Sequence, residues 1–110
     1  MEQTLNNIRS IIDTYNSMTV LNGEELNYLI KDLTANLFYL EEIRSKYHDQ
    51  YESIIHKLVA EGKTVARAKN QANVEVKEMY LIRRVMDAGY RIADAMRTNI
   101  SYLKTEKFNA

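Results

Sequence analysis

A single apolar stripe in the middle of the chain constrains its fold more than any other feature. From Leu26 to Leu58, apolar and aromatic side chains recur at alternating steps of four and three residues, with Arg44 as the one charged member. This period of 3.5 residues is typical of a long α-helix that packs along a second long helix in a left-handed supercoil. The stripe, called the central seam below, consists of Leu26, Ile30, Leu33, Leu37, Leu40, Arg44, Tyr47, Tyr51, Ile54 and Leu58.

The rest of the chain is helical in pattern as well. It contains no proline and only three glycines, so it has few residues that break helices or form the turns of sheets. The periodicity predicts three helices, over residues 4–18, 23–61 and 64–107. We expect an all-α fold in a single domain over residues 1–110. It would be a long, coiled-coil-like antiparallel helical hairpin with a short N-terminal helix, assembled into an oligomeric helical bundle. Residues 108–110 are expected to fray.

Capping residues mark where the long helices begin and end. Asn22, followed by Glu24 and Glu25, is typical of a helix N-cap with acidic residues in the first turn. Gly62 is in the right position for the left-handed residue that ends a helix, and Thr64 can cap the helix that follows. The short segment between the last two helices predicts that they run antiparallel.

The third predicted helix has apolar residues on two nearly opposite faces. The inner seam, expected to pack on the central seam, consists of Ala72, Val76, Met79, Ile82, Met86, Tyr90, Ala93, Met96, Ile100 and Leu103. The outer seam consists of Val74, Leu81, Val85, Ala88, Ile92, Ala95 and Tyr102. The N-terminal helix is long enough to cover at most about a third of the outer seam, and an apolar strip left in water favours association. The outer seam is therefore predicted to form the interface of a homo-oligomer.

Charge is balanced overall but distributed unevenly. Residues 1–55 have a net charge of −5 and residues 56–110 a net charge of +5. Between Gly62 and Val74 there are three basic residues and no acidic residue. A basic surface at this end of the hairpin can bind phosphates, and an exposed tyrosine beside an arginine can stack on a nucleobase. The predicted nucleic-acid or anion-binding residues are Lys57, Lys63, Arg67, Lys69, Lys77, Tyr80 and Arg84.

The same charges also allow plainer interpretations. The basic segment can be an ordinary solvated turn, and the acidic and basic helices can neutralise each other within one chain. Farther along, Arg83, Arg84, Arg91 and Arg97 alternate with Asp87 and Asp94, and Arg83–Asp87, Asp87–Arg91 and Arg91–Asp94 are three or four residues apart. This spacing predicts a row of surface ion pairs that is structural or intersubunit in role, with a nucleic-acid groove as the alternative.

Other kinds of chemistry have little support in the sequence. The chain has no cysteine, which excludes disulfides, thiolate zinc sites and cysteine nucleophiles. His48, Glu52 and His56 lie four residues apart, but the further ligands of a zinc or dinuclear site are missing. We therefore predict no metal, no cofactor and no enzymatic activity. Neither a signal peptide nor a membrane span is found, so we expect a cytoplasmic protein without membrane contact.

A resemblance gives a more specific hypothesis. The segment AKNQANVEVKEMYLIRRVMDAGYRIADAMRTNISYLK, residues 68–104, resembles the C-terminal helical segment of small bacteriophage recombination mediators of the UvsY type. The resemblance implies a ring-like homo-oligomer that binds single-stranded DNA and helps to load a recombinase onto strands covered by single-strand binding protein. In that family, basic residues before the last helix bind DNA, and the nearest positions here are Lys63, Arg67 and Lys69.

The leading hypothesis is thus a non-enzymatic phage accessory protein that self-assembles and binds single-stranded DNA in recombination or replication, in the host cytoplasm. One alternative is an inhibitor of host defence that binds a host protein or sequesters a cyclic nucleotide. A second alternative is a structural or assembly component of a virion.

Overall fold

In the part of the chain that the structure describes, the backbone forms four α-helices. In this computed structural model, the backbone is described for residues 1–109 and the side chains for residues 1–106. The helices are α1 (Glu2–Asn16), α2 (Gly23–Ala60), α3 (Val65–Glu75) and α4 (Glu78–Asn109). The described backbone contains no strand, so the all-α prediction is confirmed. Within it, none of the helices combines the length and apolar character that a membrane span needs. The prediction that residues 108–110 fray finds no support at residues 108 and 109, because α4 continues to Asn109, and Ala110 lies outside the described residues.

The predicted capping residues act as expected. The Asn22 side-chain oxygen accepts hydrogen bonds from the backbone N–H groups of Glu24, at 2.9 Å, and Glu25, at 3.1 Å. Gly62 has φ of +94°, and the N–H group of the next residue, Lys63, donates to the carbonyl of Leu58 at 3.0 Å. This is the glycine-containing motif that satisfies the last carbonyls of a helix. The backbone therefore reverses direction directly after α2.

The third predicted helix is broken near its start. Helical hydrogen bonding stops at the end of α3 and resumes in α4, with Val76 at φ −112° and ψ 58°. Val74 and Val76 are β-branched, and such residues have a lower helix propensity because a helix restricts their χ1 angles. Ala72, Val76 and Met79 are all buried, so the inner seam continues across the break. The prediction of one uninterrupted helix over 64–107 is wrong.

The central and inner seams form the core. Every residue of the central seam, and every residue of the inner seam except Tyr90, is buried or half-buried. α4 runs antiparallel to α2, because Leu103 lies beside Gly23 whereas Gly89 lies beside Leu37. The largest fully buried side chains are Ile8, Leu26, Leu33, Leu37, Leu40, Ile82 and Met96.

The molecule is a rod with two unlike halves. Its extents are 68 × 26 × 19 Å, and its radius of gyration is 18.9 Å, against about 13 Å for a compact domain of this length. α1 lies parallel to α4, with Ile8 near Gly89 and the Tyr15 hydroxyl accepting a hydrogen bond from the Asn99 side chain. α1 therefore covers the half away from the Gly62 turn, where the rod has three helices.

A polar contact fixes how α1 sits on α2. Asn36 is only 7% exposed. Its side-chain oxygen accepts a hydrogen bond from the Asn7 amide at 3.2 Å. Its own amide donates to the Asp32 carbonyl at 2.8 Å. Because a buried polar group without a partner costs free energy, this pairing disfavours other registers of α1 on α2.

α1 covers more of the outer seam than the sequence predicts. Val85 is 6% exposed, Ala88 and Ala95 are half-buried, and Ile92 packs against the core. From Val85 to Ala95 the helix advances by about 15 Å, which is less than the length of the 15-residue α1. The expectation that these residues form an uncovered strip is wrong, and the argument for an oligomer interface here loses its basis.

The ends of the outer seam do remain in solvent. Val74 is 76% exposed, Tyr102 is 60% exposed and Leu81 is 37% exposed. With the covered segment between them, these residues do not form one continuous apolar strip of the kind that favours association.

Candidate nucleic-acid interface

The seven residues predicted to bind nucleic acid are all exposed. They extend from the last turn of α2, through the turn at Gly62 and along α3, to the first turns of α4. Between Lys63 and Arg84 the chain advances by about 30 Å of helix length. This end of the rod therefore offers an extended surface rather than a closed pocket.

α3 does not bring its basic residues into one patch. Ala68 is fully buried, and Arg67 and Lys69 precede and follow it by one residue. Each is therefore rotated by about 100° from the buried face, in opposite directions. Arg67 and Lys69 therefore lie about 160° apart around α3, so the basic residues predicted at this end of the hairpin are divided between the two flanks of this helix.

Tyr80 and Arg84 do come together. They are one turn apart on α4, and the Arg84 guanidinium carbon lies 5.7 Å from the centre of the Tyr80 ring. This distance is within the range of a cation–π contact. Tyr80 is 69% exposed and Arg84 is exposed as well, so both side chains are accessible to a ligand.

One groove beside Tyr80 lies between α1 and α4, and we call it the α1 groove. Its volume is about 310 Å³. It is lined by Arg9, Ile12, Tyr80, Leu81, Arg84, Val85 and Ala88. The lining thus combines apolar side chains with two arginines from different helices, and it includes no acidic residue.

A second groove, called the break groove, lies where α3 gives way to α4. Its volume is about 470 Å³. It is lined by Tyr51, Asn73, Val76, Met79, Tyr80 and Arg83. It also contains an arginine and no acidic residue. Tyr80 lines both grooves, so its ring stands between two sites that each have a cation.

The arginines of the two grooves lack close acidic partners. Among the described side chains, no ion pair within 4.0 Å includes Arg9, Arg83 or Arg84, although acidic residues follow Arg9 and Arg83 by one helical turn. Within the described side chains, none of the three predicted pairs, Arg83–Asp87, Asp87–Arg91 and Arg91–Asp94, is formed. Asp94 pairs with Arg97 instead, at 3.0 Å. Exposed pairs gain little free energy and must order two long side chains, which explains why spacing alone predicts them poorly.

Sequence reasoning gives Arg83 only an ion-pair role, and it gives Arg9 and Tyr51 no ligand-binding role at all. Arg9 is on the polar side of α1, far from the basic segment in sequence, and only the packing of α1 brings it to α4. Tyr51 belongs to the central seam, for which the spacing predicts a place in the core. It is half-buried and lines the break groove. Neither role has a signal in residue spacing.

The other flank of α4 has a different electrostatic character. Tyr90, predicted to lie in the core, is 44% exposed, and its hydroxyl donates a hydrogen bond to Glu41 Oε1 at 2.9 Å. Burial raises the pKa of Tyr90 above its ordinary value of 10.0, the hydrogen bond to Glu41 and the Glu41 charge raise it further, and Arg44 opposes them. The folded protein thus holds this proton more tightly than the unfolded chain does.

This raised pKa predicts a loss of stability in alkali. The contribution of Tyr90 is fully present below pH 10.0 and is lost as the pH rises through its folded-state pKa. Urea unfolding across this pH range should show a smaller loss of stability in Tyr90→Phe than in the unmodified protein. Tyr28→Phe, at an exposed position on α2, should behave like the unmodified protein. Equal pH dependence in all three proteins would contradict the assignment.

The two histidines of α2, His48 and His56, both lie near Glu52. Glu52 lies 3.8 Å from His48 Nε2 and 3.9 Å from His56 Nε2, as a pair of weak surface contacts. Among the described residues, no group of three or more histidine or acidic side chains is arranged to hold a metal ion.

Comparisons with known proteins leave the candidate site to be judged on its own geometry. No family model, curated protein or solved structure matches the chain.

Proposed function

We propose that this chain is a non-catalytic accessory protein that binds single-stranded nucleic acid. The mediator resemblance favours single-stranded DNA during recombination or replication as the target. The observation that carries the proposal is the position of Tyr80, which lies between two grooves that each contain an exposed arginine and no acidic residue.

This arrangement suits a single strand for physical reasons. A base stacked on an aromatic ring contributes about 1–3 kcal/mol, whatever its identity, and it must be unpaired to do so. Arginines on both sides of the ring can then bind the phosphates that precede and follow the stacked base. Lys63, Arg67, Lys69 and Lys77 lie along the same end of the rod and extend the basic path beyond the grooves.

Self-assembly is not part of the proposal. The sequence argument for it depended on an uncovered outer seam, and α1 covers the middle of that seam.

The test is the binding of a fluorescently labelled oligothymidylate, followed by anisotropy from about 50 to 200 mM salt. Tyr80→Ala should weaken binding by about 1–3 kcal/mol through the lost stacking. The double variant Arg83→Gln/Arg84→Gln should weaken binding and lower the slope of log K against log salt by about 1.4, since each single-strand phosphate contact contributes about 0.7.

The matched control is Lys31→Gln/Lys46→Gln, which removes the same charge from exposed positions on α2 outside both grooves. It should leave the slope nearly unchanged. The proposal is wrong if the unmodified protein shows no binding at about 50 mM salt, where electrostatic attraction is strong. It is also wrong if the control weakens binding as much as the arginine variant does.

A further inference from the structure

We propose that the α1 groove is a site for one nucleoside 5′-phosphate unit, with the base against Tyr80 and the apolar lining and the phosphate between Arg9 and Arg84. The inference deepens the proposed function, because Tyr80 and Arg84 belong to the same surface. It adds α1, which has no basic residue other than Arg9, as a functional element.

The composition of the groove determines the kind of ligand. Ile12, Leu81 and Ala88 offer apolar surface, and two guanidinium groups line the same groove. A purely apolar ligand would leave both arginines without an anion. Inorganic phosphate would leave the apolar surface uncovered. A nucleotide satisfies both, because it joins a flat base with apolar faces to an anionic phosphate that an arginine can bind through two parallel hydrogen bonds.

The size of the groove determines how many nucleotide units it can hold. Its volume of about 310 Å³ is at the lower end of the range of about 300–1,000 Å³ that is typical of ligand sites. The groove therefore suits a single nucleotide rather than a length of strand. A neighbouring nucleotide of a strand would pass over Tyr80 to the break groove, where Arg83 is available.

The packing of α1 places Arg9 in the groove. Ile8 is fully buried in the core, and Ile12, one turn further on, packs against it. Arg9 lies between these anchors on the exposed side of α1 and lines the groove together with Arg84. Because it is exposed, its replacement should leave the fold intact.

A ligand that bridges α1 and α4 must stabilise the docked position of α1. Binding to the folded state alone shifts every opening equilibrium that separates the two helices. Nucleotide should therefore slow amide hydrogen exchange in α1, including residues that do not touch the ligand. Binding confined to α4 or to the break groove would not have this effect.

The experiment is a titration of the isotope-labelled full chain with deoxyadenosine 5′-monophosphate, followed by amide NMR shifts and hydrogen exchange. Saturable shifts are expected around Arg9, Tyr80 and Ala88, with slower exchange in α1. Inorganic phosphate and deoxyadenosine are tested separately. Each should bind at least about tenfold more weakly than the nucleotide, because each contacts only part of the groove.

Variants of the one cation on α1 make the test specific. Arg9→Gln should weaken nucleotide binding by about tenfold through loss of a charge-assisted contact, and Arg9→Lys should restore part of it. Lys46→Gln, which removes an exposed charge elsewhere, should have no effect. The inference is overturned if the nucleotide shifts no amide around the groove, or if Arg9→Gln binds it as well as the unmodified protein does.

The outcomes separate this inference from the proposed function. If oligothymidylate binding depends on Arg83 and Arg84 but nucleotide binding is absent or independent of Arg9, the proposed function stands and the α1 groove is not a nucleotide site. If nucleotide binds through Arg9 but oligothymidylate does not bind, the groove is a site for a free nucleotide and the proposed function is wrong.

Discussion

Leu37→Asp is expected to unfold the chain. Leu37 is 2% exposed and lies where α1, α2 and α4 meet. A β-carbon at position 89 of α4 would lie only 2.8 Å from Leu37 Cδ2 and 3.5 Å from Ile8 of α1. An aspartate here would lose the packing of a buried leucine, worth about 3–5 kcal/mol, and would place an unpaired carboxylate in an apolar environment. Small domains are stable by only about 5–15 kcal/mol.

The neighbouring residue provides a matched control. Phe38 is 62% exposed, so Phe38→Asp should change stability by no more than about 0.5 kcal/mol. Circular dichroism during thermal unfolding measures both variants. A Leu37→Asp protein that melts like the unmodified one would contradict the described core. Unfolding by Phe38→Asp instead would show that α2 is rotated from its described position.

The helical core could be predicted from the sequence because its signal is repeated many times. The central seam gives ten positions with one period, and all of them are buried or half-buried in the structure. The helix ends were also predictable, because Asn22, Gly62 and Thr64 each have a local conformational reason to lie where they do. Periodicity and capping are local properties, which is why residue spacing alone conveys them.

What the sequence did not predict depends on small energies or on tertiary packing. The break between α3 and α4 lies at Val74 and Val76. The helix-propensity penalty of each valine is only tenths of a kcal/mol, which is too small to identify one position within a long apolar pattern. How much of the outer seam α1 covers depends on where along α4 it docks. The spacing of residues in the sequence does not determine this position. The same docking brings Arg9 to the α1 groove, so the most informative residue of the candidate site has no local signal.

Ile8→Asp is expected to detach α1 while leaving the hairpin of α2, α3 and α4 helical. Ile8 is fully buried, so a carboxylate at this position favours the undocked state of α1 by several kcal/mol. The central and inner seams pack directly on each other, so most of the hairpin core remains when α1 is undocked. Helix content should therefore fall by about the 15 residues of α1. Hydrogen exchange should become fast in α1 and remain slow at the α2–α4 contact.

Detachment should also change the oligomeric state, because it uncovers Val85 and Ile92. These residues would then join the exposed ends of the outer seam in one apolar strip, which favours self-association. Light scattering should show a monomer for the unmodified protein and a concentration-dependent increase in mass for Ile8→Asp. Asn6→Asp, at an exposed position on the same helix, should remain monomeric. An unmodified protein that is already oligomeric at micromolar concentration would mean that α1 does not suffice to cover the seam. The interface first predicted from the sequence would then have to be reconsidered.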